Sequence, residues 1–134
     1  MMTEPNELMS ALDGAQGRID ALAGQQAAGM SLPELVAAGV AEASTMLRIM
    51  LAAEHKPYAH DADLLELWKA LVKGAPHWNT IRDNCRELVF YQNCLEAGRA
   101  DALPAQPERM VIHTLRHICL YLRSHAEQNN GDDV

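Results

Sequence analysis

Apolar residues return every three or four positions along most of the chain, and no segment shows single alternation bounded by turn signals. That is the period of amphipathic helices, and it predicts five of them. The first runs from about Glu4 to Ala23, with Leu8, Leu12, Ala15, Ile19 and Leu22 spaced as a packing seam. Gly14 and Gly17 each weaken it by about 1 kcal/mol relative to alanine. This helix is therefore expected to lean on a partner surface, either the rest of its own bundle or a second copy of the chain. The stretch "AGQQAAGM" reads as a link.

The second helix carries clearer punctuation. Ser31 stands at the N-cap, Pro33 in the first turn and Glu34 where a capping box places its acid. Leu32, Leu35, Val36, Val40, Ala43, Met46, Leu47, Met50 and Leu51 hold the rhythm until Pro57 forces a stop. A third helix begins at Asp61 or Asp63, aligns Leu64, Leu65, Trp68, Leu71 and Val72 as one stripe, and closes at Gly74 and Pro76. The fourth is expected from about His77 to Ala97, with Ile81, Cys85, Leu88, Val89 and Leu95 inward. After a loop with two prolines, the fifth starts near Pro107, centred on Val111, Leu115, Ile118 and Leu122. The expected fold is all-α, a compact bundle of four to five mainly antiparallel helices. Residues 1–127 form one helical domain, in which 1–24 is a loosely docked or dimerising helix, and 128–134 is a flexible acidic tail.

Composition adds limits. A chain of 134 residues is the size of one domain. Eleven Lys and Arg against eighteen Asp and Glu leave a formal charge of −7, which disfavours nucleic acid and anionic membrane as partners. No secretory signal is legible in "MMTEPNELMSALDG", and no apolar run comes near the ~20 residues that span a bilayer. Three cysteines without metal-box spacing suit a reduced, cytoplasmic protein.

The fifth helix raises the sharpest chemical question, because "RMVIHTLRHICLYLRSHAEQ" holds His113, His117 and Cys119. On a helical wheel the two histidines lie about 200° from the apolar centre, whereas Cys119 flanks that centre. One helix cannot turn all three toward one ion, so no metal and no cofactor is expected, and His113 and His117 remain weak candidate ligands. His60 and Asp61 resemble the metal-binding pair of HD-type phosphohydrolases, which are helical. That pattern needs an earlier histidine, and none precedes His55. Glycine-rich phosphate loops, nucleophile elbows and HExxH are absent from the sequence, and no catalytic residue is assigned. "LPELVAAGVAEASTMLRIMLA" resembles DNA-binding helix-turn-helix units in general, over residues 31–53, with Gly39 at the turn and Arg48 as its one cation.

What remains concerns surfaces. Val89, Phe90, Tyr91 and Leu95 cover more of the fourth helix than one core contact needs, and Phe90 and Cys94 share a side of their own. Leu8, Leu12, Ile19, Leu22, Phe90, Tyr91, Cys94, His113, His117 and Leu120 are the candidate interface residues. Trp78 and Tyr121 are further aromatic anchors. The expected function is a small non-enzymatic interaction protein, a regulator, antagonist or adaptor, bound to a protein partner or to itself as a homodimer. The alternatives are a DNA-binding regulator using Arg48 and a metal-dependent helical enzyme or sensor.

Overall fold

The computed structural model describes residues 5–132. Five α-helices follow in order, α1 Pro5–Ala27, α2 Leu32–Ala53, α3 Leu64–Val72, α4 Arg82–Glu96 and α5 Pro107–Asp132, with 3-10 segments at Pro76–Ile81 and Ala100–Ala102. Among the described residues there is no strand, and the architecture is an all-α bundle.

The helix starts follow side-chain chemistry. Ser31 Oγ accepts from the Glu34 N–H at 3.3 Å, and Asp63 Oδ1 accepts from the Glu66 N–H at 2.9 Å. Each satisfies one of the amide groups that a helix start leaves unpaired. The end of α2 is less ordinary. The Lys56 N–H returns to the Leu51 carbonyl at 2.9 Å, and His55, not glycine, takes the left-handed conformation at φ 57° that this reversal requires. Gly74, at φ 74°, closes α3, and the chain then starts a 3-10 segment at Pro76 before it settles into α4 at Arg82. The fourth helix is thus α-helical for a shorter stretch than the sequence predicts. At the other end α5 continues through positions 128–131 to Asp132, where the sequence predicts a tail. The segment "EQNNGD" holds no proline, so nothing interrupts propagation from the long helix before it.

Helix α2 is the hub. It packs against α1 and α5 and against α3 and α4. Its 22 residues include a window with a mean hydropathy of 1.5, long and apolar enough by those measures to cross a membrane, contrary to the expectation that no run comes near that length. In the bundle this apolarity serves the core: Leu35, Val36, Ala43, Met46, Leu47, Met50 and Leu51 are all buried. Gly39 lets α5 approach closely, since a Cβ there would lie 2.9 Å from Val111 Cγ1.

The α1 seam belongs to this same core. Leu12, Ala15 and Ile19 have no exposed surface, and Leu8 and Leu22 are partly buried beside them. Of the two surfaces this helix is expected to lean on, Leu12 and Ile19 meet the first, since α1 packs on α2 and α5 of its own chain. Ion pairs pin the same helix on both sides. Arg18 Nε reaches Glu42 Oε2 at 2.9 Å, Arg116 reaches Asp20 at 2.7 Å and Arg123 reaches Asp13 at 3.0 Å. Glu42 is almost fully buried, so its pairing with Arg18 offsets a desolvation that a lone carboxylate could not bear.

Candidate functional site

The fold separates the residues that the sequence grouped. On α4, Tyr91 turns fully inward and its hydroxyl donates to Glu87 Oε1, while Phe90 stays 49% exposed. Cys94 is buried behind Phe90, and together with Asn93, Ala97, Arg99 and Ala102 they line a shallow groove beside the 3-10 segment Ala100–Ala102. On α5, His113, His117 and Leu120 all point outward, and Leu120 is 65% exposed. Cys119 is buried, with its Sγ 3.7 Å from the Leu12 carbonyl oxygen, so it cannot join the histidines. The stretch with helix-turn-helix likeness is one unbroken helix through Gly39, because that glycine serves packing and not a turn. Arg48 is committed within the fold, where it donates to the Ala62 carbonyl at 3.0 Å. His60 and Asp61 sit exposed in the α2–α3 connection.

A different constellation forms at one end of the bundle. Glu54 caps the C-terminus of α2, His77 opens the 3-10 segment Pro76–Ile81, and His125 lies in the later turns of α5. A carboxylate oxygen of Glu54 and one ring nitrogen from each histidine all lie within 4.8 Å of one another. Trp78 builds the floor. It is fully buried, its Nε1–H donates to Glu54 Oε1 at 2.7 Å, and its carbonyl accepts from Trp68 Nε1 at 3.2 Å. The two imidazoles stack, with centroids 4.8 Å apart and planes 15° apart, and both rest against the Trp78 ring at 4.7 and 4.4 Å. The Tyr121 hydroxyl donates to the His77 carbonyl at 2.8 Å and fixes that backbone.

The local electrostatics are lopsided. Glu54 stands where the α2 dipole is already negative, and no Lys or Arg among the described residues pairs with it. Burial first, and then the neighbouring His77, hold the His125 imidazole below its ordinary value against the opposite pull of Glu54. A half-buried carboxylate, a half-buried imidazole and an exposed one therefore converge from three elements. Sequence reasoning missed all three residues. They lie at positions 54, 77 and 125, so no local spacing joins them, and Glu54 in "AEHKP" reads as an ordinary helix end.

No protein-family model, curated protein or solved structure matches this chain.

Proposed function

We propose that this protein is a non-enzymatic interaction protein, a regulator, antagonist or adaptor that binds a protein partner through its helical surface. The observation that carries this reading is Phe90. The chain has one phenylalanine, and the fold buries Trp78 and the hydroxyl-bearing Tyr91 while leaving Phe90 half exposed above a largely apolar groove. An exposed aromatic side chain on a helix, beside an apolar groove, is of the residue class enriched in the cores of protein interfaces. The chain as a whole is acidic, at −7, which favours a partner of opposite net charge.

Because Phe90 contributes little to the core, Phe90→Ser is expected to preserve the fold and remove binding. The test is recovery of the tagged chain from nuclease-treated lysate with crosslinking, followed by reconstitution from purified components. A protein that crosslinks near α4 and is lost with Phe90→Ser supports the reading. Equal recovery by both forms refutes it. Light scattering of the purified chain separates a foreign partner from a second copy, which would double the mass of the native form alone.

A further inference from the structure

The geometry points to a binding site for a divalent transition-metal ion of the zinc class at Glu54, His77 and His125, which goes beyond the interaction role. Two imidazole nitrogens and a carboxylate oxygen are the ligand set that such ions accept, whereas magnesium and calcium demand oxygen. Ligand atoms on one zinc ion lie about 3.4 Å apart in a tetrahedron and at most ~4.2 Å apart, twice the bond length. The three atoms here lie within 4.8 Å, so a closure of up to about 1.4 Å is needed, together with a turn of one imidazole out of the stack, because each nitrogen lone pair lies in the plane of its own ring. His77 is exposed and can supply that movement by side-chain rotation, and its exposure also opens the way in from solvent.

Aromatic packing against Trp78 accounts for the two rings, but it does not account for the carboxylate beside them. Trp78 takes one hydrogen-bond position on Glu54, and a carboxylate offers about four. Glu54 also has no cationic partner among the described Lys and Arg residues and sits at the negative end of α2, so a cation is favoured there twice over. The Trp78 N–H holds the carboxylate and the Tyr121 hydroxyl holds the His77 backbone, the kind of outer contacts that orient metal ligands. Three protein ligands leave one position for water or for a group from outside, as in open zinc sites.

Isothermal titration of the purified full chain with zinc chloride tests this, with thermal melts of each metal-free variant to establish folding. The native chain is expected to bind one zinc ion and to melt at a higher temperature with zinc present. His77→Gln and Glu54→Gln are each expected to weaken binding by about 10-fold or more. The double variant His113→Gln with His117→Gln should bind as the native chain does. Absence of zinc binding by the native chain overturns the site. So does native affinity in His77→Gln, or loss of binding in the His113 and His117 variant, which would place the ion on the outer face of α5. Should Glu54→Gln fail to fold, His77→Gln decides alone, because the His77 side chain is exposed.

Discussion

A thiol deep in an apolar core behaves as a hydrophobe, and Cys85 is such a residue. It has no exposed surface, and burial alone pushes its pKa up from 9.0 to about 12. It stays protonated and unreactive in the folded chain, so thiol reagents at about pH 8.5 are expected to label it only after unfolding. The same shift sets a pH dependence. Below the ordinary thiol value both states hold the proton and the full stability is present. From 9 toward 12 the unfolded chain releases that proton and the folded chain keeps it, so stability falls by up to about 1.4 kcal/mol per pH unit. Urea melts across this range should show a steeper alkaline loss in the native chain than in Cys85→Ala; equal slopes would disprove it. Residue type alone did not reveal this environment, because Cys85, Cys94 and Cys119 look alike in the sequence and all three are buried free thiols.

Among the helices, glycines show how the same residue serves opposite ends. Gly17 in α1 has open space around it, so Gly17→Ala is expected to stabilise the chain by about 1 kcal/mol through helix propensity. Gly39 in α2 has Val111 Cγ1 2.9 Å from any added Cβ, and valine on the facing helix has one stiff rotamer. There the propensity gain is outweighed by overpacking, and Gly39→Ala should cost about 1 kcal/mol or more. Thermal melts of the two variants should move in opposite directions; a rise for both would mean that α5 yields easily. Helix starts were legible because Ser31 and Asp63 act on amides three residues away. The end of α5 was not, since polar residues without proline leave a helix free to continue or fray. The start of α4 was also missed: Gly74 and Pro76 announce a break but do not say whether the next turn is 3-10 or α.

For the molecule as a whole, the decisive question is where the α1 seam points. With Leu12 and Ile19 wholly enclosed by their own chain, Leu12→Ala is expected to cost ~2–5 kcal/mol of folding stability. The particle mass should stay unchanged, as sedimentation can establish. A shift from dimer to monomer at unaltered stability would return the seam to an intermolecular role. The convergence of Glu54, His77 and His125 belongs to this scale as well. It needs the end of α2, the 3-10 segment and the last turns of α5 to meet over Trp78, which no single element encodes.

The sequence by itself determined the helical class, the number of helices, the N-caps of α2 and α3 and the inward stripe of α5, because these depend on spacings of three or four residues within one element. Tertiary structure alone decided that Leu12 and Ile19 complete an internal core, that Phe90 stays out while Tyr91 goes in, and that a carboxylate and two imidazoles share one corner. Those outcomes depend on how helices dock, and docking brings together residues whose distance along the chain carries no trace of their distance in space.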